Sequence, residues 1–160
     1  MANTTPGPEA VYPDNLSQWD RRFFDLASHI RRWSQDPNCQ VGAVLAGTDK
    51  RQVALGINGP PAGLPGTMDR KIMTMPKSQK NHWMIHAERQ VLDNAHFPVK
   101  GSTLYSTRWP CPECAKSMAS LGVVRLIAPP PEPGSSWHEC QRVAEEILRT
   151  ADVRVVQLIC

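Results

Sequence analysis

The chain's 160 residues, 41% of them hydrophobic and 21% charged, suit a single globular domain that buries its own core without cross-links. A net charge of +3, with the basic residues spread along the chain, argues against a nucleic-acid binder, and no apolar run nears the ~20 residues of a membrane span. Five cysteines in no paired framework, with no apolar leader at the N-terminus, point to a reducing, cytoplasmic setting.

Residues 1–15 hold three prolines and no periodicity and read as a flexible N-terminal arm, leaving residues 16–160 as the domain. Ser17 with Asp20 resembles a capping box. Leu16, Trp19, Phe23, Leu26, Ala27, Ile30 and Trp33 then recur at helical spacing, which predicts a first helix ending near Asp36-Pro37 with its aromatics in the core. The stretches 40–46 and 52–57 read as two strands of an antiparallel hairpin turning at Gly47-Thr48-Asp49-Lys50, and Pro60 and Pro61 stop the second. From Leu64 to Trp83 no period is evident. That marks a functional loop or lid, whose Arg70, Lys71, Lys77 and Lys80 either face solvent or suit a phosphate group.

A helix is expected over 86–95, a strand over 103–106, and a helix over 112–121 with Pro112 in its first turn. The apolar run 123–128 predicts a buried central strand, and Pro129 to Gly134 a stiff loop. Ser136 with Glu139 forms a second capping box. Val143, Ala144, Ile147, Leu148 and Ala151 trace the last helix, and 153–159 the last strand. A full helix between two strands permits a right-handed crossover, so the last two strands are expected to be parallel. The fold class is therefore α/β, a five-stranded mixed sheet flanked by helices.

Two short segments carry the chemistry: His86-Ala87-Glu88 and Pro110-Cys111-Pro112-Glu113-Cys114. One imidazole and two thiolates supply three of zinc's four tetrahedral positions and leave the fourth for water, as a catalytic site requires and a structural knot does not. Cys111 and Cys114 stand three apart, on one face of a helix's first turn. Helix N-termini at both segments would stabilise negative charge between them. H-x-E followed by P-C-x-x-C is the signature of zinc nucleobase deaminases, in which the Glu is a general acid/base and not a ligand.

Beyond that motif, the chain resembles the deoxycytidylate (dCMP) deaminases of the cytidine deaminase superfamily. The resemblance rests on the junction Ser34-Gln35-Asp36-Pro37-Asn38-Cys39-Gln40-Val41-Gly42-Ala43, on the loop Gly56-Ile57-Asn58-Gly59-Pro60-Pro61-Ala62-Gly63, and on Thr103-Leu104-Tyr105 leading into the cysteine motif. It implies a three-layer cytidine deaminase-like fold that turns dCMP, or a 5-substituted dCMP, into dUMP and ammonia. It further implies a Zn2+ cofactor on His86, Cys111 and Cys114, with Glu88 as proton shuttle. Asn58 is implied against the sugar and the backbone of Ala87 against the pyrimidine edge, with Ser34, Thr107, Trp109 and Pro110 around the substrate. A homo-oligomer, hexamer or dimer, is implied too, with dCTP and dTTP as effectors at a site including Gly59, Pro61 and Gly63. Departures from the family pattern are Gln90 in place of an asparagine, Ile57 in place of a tyrosine and Trp33 in place of a basic residue.

Two other readings stand beside this one: a superfamily deaminase acting on a tRNA adenosine, a nucleoside or a base, and an inactive zinc protein that binds nucleotides. The intact Glu88 argues against the second. His138 and Cys140 read as residues of an ordinary helix rather than a second metal site.

Overall fold

A computed structural model describes residues 12–134 and 138–158. The strands β1 (Gly42–Ala46), β2 (Val53–Ile57), β3 (Thr103–Ser106), β4 (Arg125–Ala128) and β5 (Arg154–Gln157) form one sheet in the order β2-β1-β3-β4-β5. β1 pairs antiparallel with β2 and β3, whereas β3, β4 and β5 run parallel. The mixed sheet and its parallel last pair match the expectation from the sequence.

Period-2 alternation along the strands divides the core in two. Ala43, Leu45, Leu104 and Leu126 face a layer made by α4 (Ala87–Asp93), α5 (Pro112–Leu121) and α6 (His138–Thr150). Val44, Ala46, Tyr105 and Ile127 face α1 (Gln18–Ile30) on the other side. Two glycines let the helices sit close. A Cβ on Gly42 would lie 2.2 Å from the Ala27 carbonyl oxygen of α1, and one on Gly56 would lie 2.4 Å from the Ala87 carbonyl oxygen of α4.

The Ser17–Asp20 capping box forms as expected, but α1 stops at Ile30, with a 3₁₀ turn through Trp33, short of the expected Asp36-Pro37. Side chains here compete with the helix for backbone partners. The Ser34 hydroxyl donates to the Asn58 carbonyl at 2.7 Å, and Asp36 accepts from the amides of Asn38 and Cys39 at 2.9 and 3.3 Å. Of the three aromatics expected in the core only Phe23 is buried. Trp33 is 57% exposed, and Trp19 stacks on Phe23 with the Arg22 guanidinium over its outer face.

The stretch from Leu64 to Trp83, expected as a loop, contains α2 (Gly66–Met73) and α3 (Lys77–Lys80), entered through Pro65 and Pro76. α6 packs Ala144, Ile147 and Leu148 of the expected stripe on the core, adds Gln141 to it, and leaves Val143 and Ala151 exposed. β4 starts at Arg125 rather than Val123, β5 at Arg154 rather than Val153, and β1 at Gly42 rather than Gln40. The Ser136 capping box, the first eleven residues of the arm and Ile159 lie outside the described residues. Among the described residues no helix is long and apolar enough to cross a membrane.

Candidate metal and catalytic site

The two motifs fold as helix starts. His86 is the N-cap of α4 and Cys111 the N-cap of α5, both with extended backbone and neither making a side-chain capping bond. Pro112 follows at the first helical position of α5, where its missing N–H costs nothing. With their side chains uncommitted to capping, the two residues turn towards each other. His86 Nδ1 lies 3.3 Å from Cys111 Sγ and 3.5 Å from Cys114 Sγ.

These separations fit a tetrahedral zinc centre, in which bonds of about 2.0 Å to nitrogen and 2.3 Å to sulfur give an N···S edge of about 3.5 Å. The protonation chemistry points the same way. A hydrogen bond from Cys114 and the adjacent His86 lower the Cys111 thiol to about 4, while that thiolate and burial push Cys114 up. The hydrogen bond with Cys111 raises His86. Three donor atoms thus crowd around one negative charge, an arrangement that a divalent cation relieves by taking the place of the shared protons. Among the described residues this is the one group of His, Cys, Asp and Glu whose donor atoms converge for a metal, so His138 and Cys140 form no second cluster.

Glu88, in the first turn of α4, is 4% exposed. Burial raises its pKa, and the Ser106 hydroxyl at the end of β3 donates to its Oε1 at 3.0 Å. It opens onto a cavity of about 280 Å³ that His86, Cys111, Ala87, Asn58, Trp109 and Pro110 also line. The cavity lies beyond the carboxyl end of β3, the end of parallel strands at which α/β sheets bind ligands.

Asn58 reaches the cavity with half of its hydrogen-bonding capacity already engaged. Its Oδ1 accepts from the Val41 amide and its Nδ2 donates to the Cys39 carbonyl, both at 2.8 Å. Ser34 and Thr107 do not line the cavity. Ser34 holds the Asn58 backbone, and Thr107 Oγ1 accepts from the Gly42 amide at 3.0 Å. Gly59 exchanges two backbone hydrogen bonds with Ile85, tying its loop to the residue before His86, and Pro61 and Gly63 lie outside the cavity wall. Gln90, in the position where the resemblance predicts asparagine, accepts the Ile57 amide at 2.8 Å and so joins α4 to β2.

The cavity also brings together residues that no sequence pattern joins. Asp36 and Lys80 form a buried ion pair in its wall at 2.6 Å. Burial pushes the Asp36 carboxyl up, but Lys80 and the Asn38 and Cys39 amides outweigh it and hold the pKa low. Arg108 donates to Cys39 Sγ at 2.6 Å, and Lys77 also lines the cavity. Trp109 Nε1 donates to the Gln141 carbonyl of α6 at 3.0 Å, which brings Cys140 and Gln141 to the cavity. Lys77 and Lys80 belonged to the basic cluster legible in the sequence; no local pattern marked Arg108.

The family model described as the cytidine and deoxycytidylate deaminase zinc-binding region matches residues 17–129. An uncharacterized deaminase in the luxG 3' region of Aliivibrio fischeri is 32% identical over 145 residues, covering 89% of this chain and 95% of the relative. The human deoxycytidylate deaminase is 33% identical over 122 residues, which is 71% of this chain and 66% of the human protein. In fold the chain is similar to the dCMP deaminase of cyanophage S-TIM5, solved with dCMP and dUMP, with a TM-score of 0.67 and 22% identity over 85% of this chain and 93% of that one.

Proposed function

The chain belongs to the cytidine and deoxycytidylate deaminase family, and from that premise we propose that it hydrolyses dCMP to dUMP and ammonia. The observation that carries the reading is the buried Glu88 carboxyl on the cavity that His86 and Cys111 also line, beside the point where their donor atoms converge with that of Cys114. Zinc held by those three residues would act as a Lewis acid that brings the pKa of water from about 15.7 towards about 7.

Glu88 accepts a proton as water attacks C4 of the cytosine ring and delivers it to N3. It then takes the remaining proton from the new C4 hydroxyl and passes it to the amine as the C4–N bond breaks and the C4 carbonyl forms, so one carboxyl serves both transfers. Ser106 steadies Oε1 during these exchanges, and the apolar burial of α4 keeps bulk water from Glu88. Ala87 and Asn58 border the space for the ring and sugar. Lys77 and Arg108 supply positive charge in the cavity wall for the 5'-phosphate, which supports a nucleotide over a free nucleoside.

Ammonia release is the test, with zinc-loaded protein and dCMP, CMP, deoxycytidine, 5-substituted dCMP and dCTP side by side. Preferential turnover of dCMP or its 5-substituted form is expected. Equal turnover of deoxycytidine, or silence on every cytosine nucleotide, overturns the assignment.

A further inference from the structure

A second cavity, of about 390 Å³, opens at the opposite end of the sheet from the metal donors, where the β1–β2 turn meets the first residues of β3, β4 and β5. Three cations face it, Lys50, Arg125 and Arg154, against one carboxylate, Asp20. The excess follows from strand register. Thr103 pairs with Arg125 and Arg125 with Arg154, so the three side chains stand in a row on the face that α1 covers. Like charges side by side on neighbouring strands, about 4.8 Å apart, repel.

Asp20 answers only one of the two arginines. Arg125 Nη1 donates to Asp20 Oδ1 at 2.7 Å and Nη2 to Oδ2 at 3.1 Å. Tyr105 and Ser17 donate to the same carboxylate, at 2.7 and 2.8 Å, which leaves it little capacity for another donor. The Arg125 Nε is buried and has no hydrogen-bond partner among the described residues. Among the described residues Arg154 and Lys50 form no ion pair either. Among the described residues, two of the three cations in the cleft are thus left without a counter-charge.

We propose that this cleft binds a phosphate-bearing anion, whose oxygens take the donors of Arg154 and Lys50 that Asp20 leaves unmet, with the Arg125 guanidinium adding its charge. Thr103 and Thr48, which also line the cleft, carry hydroxyls that can extend the donor set. A volume of about 390 Å³ exceeds a bare phosphate and accommodates a nucleotide's phosphate tail with part of its sugar. The site is separate from the metal donors and from the Gly59 loop, both of which lie at the other end of β1 and β2. It does not depend on the identity of the deaminase substrate.

The experiment is thermal unfolding and calorimetric titration of the full chain with inorganic phosphate and with dCTP, at constant ionic strength held by chloride. Arg154→Gln, Lys50→Gln and Arg108→Gln are measured beside the parent. A Tm rise of roughly 4 °C is expected at a ligand concentration about tenfold above Kd. Arg154→Gln and Lys50→Gln should each weaken Kd about tenfold and leave ammonia release unchanged, because both lie far from Glu88. Arg108→Gln, in the metal-end cavity, should leave binding intact. Saturation by inorganic phosphate identifies the phosphate group as sufficient, and binding of dCTP alone shows that the nucleotide is required; both support the site. Loss of binding in Arg108→Gln with retention in Arg154→Gln overturns it, and so does the absence of any binding to the parent.

Discussion

Glu88→Gln keeps the side chain's size and a group able to accept from Ser106, while removing the group that takes up a proton. Turnover should fall by about 10²–10⁴-fold with zinc content unchanged. Ammonia release and metal analysis on the same preparation check this, and retained activity contradicts the assignment. The buried pair Asp36–Lys80 makes a second prediction at this scale. Lys80 is 1% exposed, so Lys80→Met leaves a buried carboxylate without its cation, at a cost of about 3 kcal/mol in denaturant unfolding. Adding Asp36→Asn should restore most of that loss, because the charge left behind is the main penalty. The two cases also show what a sequence discloses. His86, Glu88, Cys111 and Cys114 were legible because each helix start presents them at short, chemically meaningful spacing. Asp36 and Lys80 are 44 positions apart, and only the packing of α3 against the junction after α1 reveals that they meet.

At the level of elements, the two close glycines separate stability from catalysis. A methyl group on Gly56 would meet the backbone of Ala87 and Val91, at 2.4 and 2.5 Å, and must displace α4, the helix that carries Glu88. Gly56→Ala should therefore cost about 1–3 kcal/mol and lower kcat as well. A methyl on Gly42 meets α1 instead, so Gly42→Ala should cost a similar amount while kcat in the folded fraction changes little. Unfolding curves and steady-state kinetics on both variants check the contrast. The bounds of α5 were readable beforehand because Pro112 opens it and Gly122, at φ 80°, ends it in the left-handed region. α2 and α3 were not, since helices of eight and four residues divided by Pro76 are too short to establish a period. The inward face of α6 was legible in Ala144, Ile147 and Leu148 but not in Gln141, which is buried because its carbonyl accepts the Trp109 indole and its side chain accepts the Glu132 amide. Apolarity alone does not register such bonds.

Across the whole molecule, Asp20 fastens α1 to the sheet through Arg125, a partner 105 positions away. Burial pushes its carboxyl up, but Arg125, Tyr105 and Ser17 outweigh it and bring the pKa down from 3.8 to about 2. Because the folded value is depressed, the contribution is complete above pH 3.8 and disappears as the pH falls through about 2. It amounts to roughly 2 kcal/mol. Urea unfolding at about pH 5 and about pH 3 should show the parent losing stability that Asp20→Asn, already without it, does not lose. The sheet order itself was only partly legible. The hairpin and the parallel last pair followed from turn and crossover chemistry, whereas the placement of β3 between β1 and β4 depends on which faces the helices cover.

The bond between Trp109 and Gln141 has a consequence for the order of biosynthesis. His86, Cys111 and Cys114 all precede α6 in the chain, and so do β1, β2 and β3. On the ribosome the candidate metal donors and the strands beneath them are made before α6 and β5, yet a domain folds as a unit, and Ala144, Leu148 and Val153 belong to the core on which α4 and α5 rest. The wall that Cys140 and Gln141 contribute arrives last. A nascent chain thus holds all three candidate donors before it can close the core behind them, and a truncation before α6 should lose the cooperative fold together with turnover.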